Sequence, residues 1–122
     1  MSSHPIVHLE ISSVNLEASG RFYSDLFDWK VQHMPEFNYS TFQAEGGPGG
    51  GFMPVSDTTP AGTILFYVGS DDIDADLAKA ESLGATVVTP KTEIPQTGWF
   101  AFFKDPSGTT IGLYTAMNPT SG

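Results

Sequence analysis

Cysteine is absent from the 122-residue sequence. Its absence excludes disulfide bonds, zinc sites built on thiolates and a thiol nucleophile. The chain also lacks any apolar run near the roughly 20 residues that a membrane-spanning helix needs. The first residues show neither the basic nor the apolar region of a secretory signal. We therefore expect a cytoplasmic protein without membrane contact.

Basic residues are scarce, with five Lys and Arg against fourteen Asp and Glu and a net charge of −9. A field of that sign repels phosphate backbones and anionic lipids, so we expect no nucleic-acid partner. The charge is compatible with a cationic ligand. An acidic surface that only keeps the protein in solution has the same composition, and both interpretations remain open.

The residues that are present can build one aromatic-rich core, since 39% are hydrophobic and nine are Phe. This length fits one compact domain, residues 1–122. Apolar alternation and short apolar runs predict strands at 6–11, 29–34, 38–43, 52–55, 63–68, 86–88, 99–104 and 110–115. Asn15 and Asp72 are suited to cap two helices, of which Gly84 ends the second. Residues 45–51 predict a glycine-rich loop or bulged strand entry, and Lys91–Gly98 a connection.

The order strand, helix and three strands occurs twice along the chain. At an offset of 57 residues, Asn15 aligns with Asp72 and Val31 with Val88. This predicts two duplicated modules, residues 5–56 and 62–116, although two amphipathic helices can also align by chance. Each short module leaves sheet edges to be covered, so we expect the modules to pack edge to edge or to swap with a partner chain, and we expect a homodimer.

Several stretches form a specific set when their order along the chain is considered. They are Val7–Ile11, Asn15–Ala18, Phe22–Trp29, Asp71–Ala75, Leu83–Ala85, Phe103–Gly108 and Ile111–Leu113. In this order they resemble the vicinal oxygen chelate superfamily, which contains glyoxalases, bleomycin-resistance proteins and extradiol dioxygenases. The resemblance implies an α+β fold in which two tandem βαβββ modules form a curved mixed sheet around a cavity that binds a small molecule.

Enzymes of that superfamily place one metal ligand on the first and one on the last strand of each module. The first-strand position of module one is His8, a competent imidazole. Its counterpart in module two is Leu65, and the last-strand positions fall at Gly112 and within Gly51–Met53. Three of the four positions thus lack a suitable donor, because a methionine thioether is too soft for the hard cations of this chemistry. We predict no metal and no cofactor.

The first strand nevertheless carries two chemically useful side chains on one face. Val7, Leu9 and Ile11 supply an apolar face for the core, which leaves His8 and Glu10 together on the other. This pair can act as acid and base, or ligate a metal with help from Tyr67 or Tyr114. A buried structural histidine and a solvated strand glutamate are the alternatives.

Strand alternation continues this face into aromatic residues of the second module. The predicted ligand-binding residues are His8, Glu10, Met53, Leu65, Tyr67, Trp99, Phe103 and Tyr114. Phe100 with Phe102 is the alternative to Trp99 with Phe103, and each ring also fits an ordinary core position. A concave aromatic sheet with one carboxylate suits a flat, partly apolar ligand.

These features predict a metal-independent small-molecule binding protein with a degraded metal site, for antibiotic or metabolite sequestration. The alternative is an enzyme, a lyase, isomerase or dioxygenase, with His8 and Glu10 as catalytic residues and with or without a divalent metal. A scaffold with a vestigial cavity is a third interpretation.

Overall fold

The computed structural model describes residues 4–57 and 59–117. The elements are β1 (Ile6–Ser13), α1 (Leu16–Phe27), β2 (Lys30–Met34), β3 (Tyr39–Gln43), β4 (Gly50–Pro54), β5 (Ile64–Gly69), α2 (Ile73–Ser82), β6 (Thr86–Ile94), β7 (Gly98–Lys104) and β8 (Thr110–Ala116), with a 3-10 turn at Pro35–Phe37. Each half of the chain contributes four strands, which pair both parallel and antiparallel. The βαβββ order occurs twice, which confirms the predicted α+β class and its repeated module.

The chain divides into two compact units, which we call the N-terminal unit (His8–Phe66) and the C-terminal unit (Met1–Val7 with Tyr67–Gly122). Among the described residues, neither helix is long and apolar enough to cross a membrane.

The N-terminal unit has the strand order β2-β3-β4-β1, in which β4 runs parallel to β1 and antiparallel to β3. Helix α1 covers one face of these strands through aromatic contacts. Tyr23 on the helix stacks on Trp29 and on Phe52 of β4, and Trp29 stacks on Phe42 of β3. Offset stacking adds about 0.5–1.5 kcal/mol per pair to the burial of the rings. These rings form the core of the unit.

The C-terminal unit has the order β5-β8-β7-β6, with β8 parallel to β5 and antiparallel to β7. Ile73 and Leu77 of α2 are buried in one cluster with Ala101 of β7 and Leu113 of β8. The alanine leaves room for the two helix side chains, so α2 packs closely on the centre of β7 and β8.

Both helices begin at the predicted caps. The Asn15 side chain accepts a hydrogen bond from the Ala18 N–H at 3.0 Å, and the Asp72 side chain accepts one from the Ala75 N–H at 3.0 Å. Each bond satisfies one of the donors that a helix start leaves unpaired. Helix α2 is followed by Gly84 at φ 105°, a conformation that glycine adopts without strain.

Strand β6 is longer than predicted. The sequence placed a strand at 86–88 and a connection at Lys91–Gly98, whereas β6 continues to Ile94. Its pairing with β7 shifts register between Val87 and Thr89 and again between Thr89 and Thr92. Pro90 lies within the second shift, on an edge strand, where its missing N–H costs no central ladder bond. Because of this proline, the sequence suggested that the strand ends at Val88, whereas it continues to Ile94.

Candidate functional site

Strand register places His8 and Glu10 on the face of the N-terminal unit opposite α1. In the β1–β4 pair, Ile11 is opposite Phe52, which contacts the helix, so Glu10 and its partner Gly51 point the other way. Side chains two residues apart share a face, which adds His8 to Glu10. The observed pairing of β1 with β4 thus agrees with the prediction that His8 and Glu10 share a face.

Tyr39 joins these two side chains into one hydrogen-bonded trio. Its hydroxyl donates to Glu10 Oε2 at 3.0 Å, and His8 Nε2 lies 3.1 Å from the same hydroxyl oxygen. The direct distance between His8 Nε2 and Glu10 Oε2 is 3.7 Å. The side chain of His8 is 34% exposed and that of Glu10 15%. The trio is thus partly screened from solvent and held together by side-chain contacts.

The phenol of Tyr39 is held in its neutral form. Burial, then the charge of Glu10 and the hydrogen bond to it, raise the pKa of Tyr39 far above its usual value near 10. A neutral phenol keeps its proton, and this proton is the one given to Glu10. Tyr39 therefore serves as a donor and does not act as a base at physiological pH.

Gly51 provides the space for the Tyr39 hydroxyl. A Cβ atom built on Gly51 would overlap the hydroxyl oxygen and the adjacent ring carbon of Tyr39. Position 51 is opposite Glu10 in the β1–β4 register and opposite Thr41 in the β3–β4 register. The missing side chain lets a residue from β3 reach across β4 to β1.

No sequence motif pointed to Tyr39, which was predicted only as part of a strand. Twenty-nine residues separate it from Glu10, and no local motif connects them. One usable signal was the alternation of β3, which puts Tyr39 and Thr41 on the face away from Phe42. A second was the glycine run, whose missing side chains leave space beside that face.

The C-terminal unit has its own aromatic face, and one predicted pair does not belong to it. Tyr67 contacts the ring of Phe102 at 5.5 Å, and Phe100 lies 5.4 Å from Phe102. Trp99 and Phe103 instead pack against the helix-side core under α2. The prediction that Trp99 and Phe103 share the face of Tyr67 is corrected to the alternative set, Phe100 with Phe102, because β7 turns Ala101 and its neighbours at two-residue spacing toward the helix.

The remaining predicted residues occupy varied environments. Met53 lies two residues after Gly51 on β4, hence on the same face as Glu10. Leu65 is buried, as is Tyr67, whose ring covers Gly112. Tyr114 is on the face of Phe100, its partner in the β7–β8 register, and its hydroxyl donates to the Thr97 carbonyl at 3.4 Å. Their role in ligand binding stays a prediction.

A groove of about 300 Å³ lies in the N-terminal unit at the start of α1, and Tyr39 is one of its lining residues. It is lined by the first residues of the helix, by the segment around Met34 and Pro35, and by residues 38–40. His33, which also borders it, has its Nδ1 atom 2.6 Å from the Ser40 hydroxyl oxygen. No sequence pattern pointed to this groove.

Comparison with known proteins identifies the family. The description "Glyoxalase/Bleomycin resistance protein/Dioxygenase superfamily" applies to a profile that matches residues 5–113. The chain belongs to this superfamily.

Relatives within the superfamily differ in how much of their length they share with this chain. A "Glyoxylase-like domain-containing protein" of Didymella fabae is 29% identical over 115 residues, which are 88% of this chain and 90% of that protein. "Putative glyoxylase CFP32" of Mycobacterium bovis is 27% identical over 115 residues, which are 88% of this chain and 44% of that protein. The chain thus spans less than half of the mycobacterial relative.

Solved structures support the fold of the superfamily. The hypothetical protein BH1468 of Bacillus halodurans superposes with a TM-score of 0.74 at 14% identity, covering 99% of this chain and 100% of that one. Methylmalonyl-CoA epimerase of Mycobacterium tuberculosis gives 0.70 at 16% identity, with 91% and 87% covered. At these identities the likeness shows the shared architecture.

The side chains at the superfamily's metal positions do not fit a metal centre. Leu65 and Gly112 offer no donor, and the Gly51–Met53 stretch offers a thioether at most. Among residues 4–57 and 59–117, no three His, Cys, Asp or Glu side chains are grouped closely enough to hold a metal ion. The pair of His8 and Glu10 supplies one imidazole nitrogen and one carboxylate, which are two metal-ligand side chains.

We expect purified protein to contain no stoichiometric Ni, Zn, Mn, Fe or Co. The reason is the donor set, since tight divalent sites in proteins use three or more protein ligands. Elemental analysis by inductively coupled plasma mass spectrometry checks this result. About one metal per chain, lost in His8→Ala, would overturn it.

Proposed function

We propose that this protein binds a small, flat, partly apolar molecule without a metal, in the manner of antibiotic or metabolite sequestration. The observation that carries the proposal is the His8–Tyr39–Glu10 trio. Val7, Leu9 and Ile11 already supply an apolar face of β1, so packing does not require polar groups on the opposite face. A partly buried carboxylate is costly unless it is paired, and Tyr39 supplies one partner.

The chemistry of the trio favours a ligand that carries a hydrogen-bond donor. A carboxylate has about four lone-pair positions, and Tyr39 fills one of those on Glu10. A ligand ammonium or amide N–H is therefore better matched to Glu10 than a ligand carboxylate. The net charge of −9 also favours binding of a cationic molecule. Within the C-terminal unit, the partly exposed rings of Phe100 and Phe102 form an aromatic surface of their own.

A screen of aromatic amines, neutral aromatics and aromatic acids by thermal shift tests this function. We expect amines to raise the melting temperature of wild-type protein most, and the shift to be the same with EDTA as with added divalent metals. Glu10→Gln should retain the melting temperature, because the amide oxygen still accepts from Tyr39, while affinity for a cationic ligand falls by about tenfold or more. Affinities are measured by isothermal titration calorimetry.

Glu45→Gln is the matched control for Glu10→Gln, because it removes one negative charge from an exposed loop residue. It should leave affinity nearly unchanged. The proposal fails if Glu10→Gln and His8→Ala each lower stability by several kcal/mol while ligand affinity is intact, since the pair would then be structural.

A second candidate is an enzyme that moves a proton, a lyase or isomerase. It is favoured by the same pairing of imidazole and carboxylate, 3.7 Å apart, which suits general acid–base catalysis. Four of the similar solved structures are of methylmalonyl-CoA epimerases. An enzyme of this kind should exchange a C–H hydrogen of a bound carbon acid for deuterium from the solvent, and a binding protein should not. This exchange should be abolished in His8→Ala and Glu10→Gln.

We also propose that the protein forms a homodimer. Helix α1 leaves three large apolar side chains more than half exposed: Phe22, Leu26 and Phe27. Apolar side chains exposed together on one element are typical of protein–protein contacts. Light scattering at micromolar concentration should give twice the 13.1 kDa mass of the chain. A monomeric mass would contradict this proposal.

A further inference from the structure

The hydrogen positions in the trio follow from counting donors. A phenol carries one proton, and the Tyr39 hydroxyl gives it to Glu10 Oε2. The hydroxyl oxygen then has only acceptor positions left for His8 Nε2, 3.1 Å away. His8 must therefore supply the proton of that second hydrogen bond from Nε2.

We propose that Tyr39 is a positioning residue that fixes His8 as the Nε2–H tautomer and orients Glu10 for the ligand. The chain of donors runs in one direction, from His8 Nε2–H to the Tyr39 oxygen and from the Tyr39 O–H to Glu10 Oε2. In this arrangement the lone pair of neutral His8 is on Nδ1. The inference deepens the proposed function by stating which atoms of the trio act as acceptors.

The high pKa of Tyr39 supports this assignment, because a phenol that keeps its proton keeps the direction of the chain. The assignment also leaves Nε2 of neutral His8 unable to ligate a cation. His8 Nε2 and Glu10 Oε2 are the two atoms that approach to 3.7 Å, and the Tyr39 hydroxyl contacts both. A nitrogen that carries a proton has no lone pair to give a cation.

Gly51 completes the arrangement, because the Tyr39 hydroxyl reaches this position only where residue 51 lacks a side chain. Tyr39 and Gly51 therefore form a matched pair. A methyl group at position 51 must displace the hydroxyl, and it should disturb His8 in the same way as removal of the hydroxyl.

The test is ¹⁵N NMR of the imidazole nitrogens in ligand-free protein labelled at histidine, at a pH where His8 is neutral. The chain has three histidines, and the His8 signals are those missing from His8→Gln. We expect the Nε2–H tautomer to predominate in wild type and a mixture of both tautomers in Tyr39→Phe. Gly51→Ala should give the same mixture with the phenol still present.

Two controls separate this effect from a general loss of structure. His33, in the same unit, contacts Ser40 through Nδ1 and should keep its tautomer in Tyr39→Phe. Tyr23→Phe removes the hydroxyl group of a ring that stacks on Phe52, and it should leave the tautomer of His8 unchanged. A wild-type His8 in the Nδ1–H form, or an unchanged His8 in Tyr39→Phe, would overturn the inference. Since no ligand is added, failure to find a ligand would bear on the proposed function alone.

Discussion

Gly50→Ala is expected to prevent normal folding or to lower the free energy of unfolding by more than about 4 kcal/mol. A Cβ atom on Gly50 would overlap the carbonyl oxygen of Leu9 and approach the ring of Phe42 to 2.8 Å. The carbonyl is backbone of the neighbouring strand, so β1 can relieve the overlap only by leaving β4. Chemical denaturation followed by circular dichroism measures the loss.

Gly47→Ala is the control for Gly50→Ala. Position 47 lies in the same glycine-rich stretch, and no atom lies within 4 Å of its built Cβ. It should change stability by no more than about 0.5 kcal/mol. If both variants unfold at the same denaturant concentration as wild type, the close contact of β1 and β4 at this point is wrong.

Phe52→Ala is expected to lower the free energy of unfolding by about 3–5 kcal/mol. Its side chain is 0% exposed and contacts Tyr23 and Phe42, so truncation removes a buried ring and leaves a cavity under α1. Urea unfolding at matched protein concentration provides the measurement. Because Gly51 precedes Phe52 on β4, the trio should loosen as well.

Phe22→Ala is the comparison for Phe52→Ala, since Phe22 also contacts Tyr23 but is 59% exposed. At a protein concentration where the chain is monomeric, so that the proposed dimer contact of Phe22 is not measured, we expect a loss of about 1 kcal/mol or less, the contribution of an exposed aromatic pair. Equal losses in the two variants would mean that the aromatic cluster beneath α1 is not the core of the N-terminal unit.

The repeated architecture was predictable because its signals are local. The caps at Asn15 and Asp72, the periodicity of each helix and the two-residue alternation of β1 each depend on a few neighbouring residues. The common face of His8 and Glu10 follows from the same alternation. The family resemblance added the fold class.

The rest of the site depends on pairing between distant strands. Tyr39 reaches Glu10 only through the β3–β4–β1 register, which joins residues that are far apart in the sequence. Strand β7 has aromatic residues on both faces, so alternation alone does not decide whether Trp99 or Phe100 faces α2. Packing decides it, because the small side chain of Ala101 fits beneath the helix.

Strand β6 is poorly suited to recruit further chains into a fibril. Its two register shifts and Pro90 interrupt the row of backbone groups that an edge strand presents to another molecule. The Lys91 ammonium lies 5.2 Å from the ring centre of Trp99, which brings a charge to the same edge. Growth of cross-β aggregates starts from flat, regular, uncharged segments. We therefore expect concentrated solutions to resist fibril seeding at this edge. In Pro90→Val, thioflavin fluorescence during prolonged storage should increase faster than in wild type.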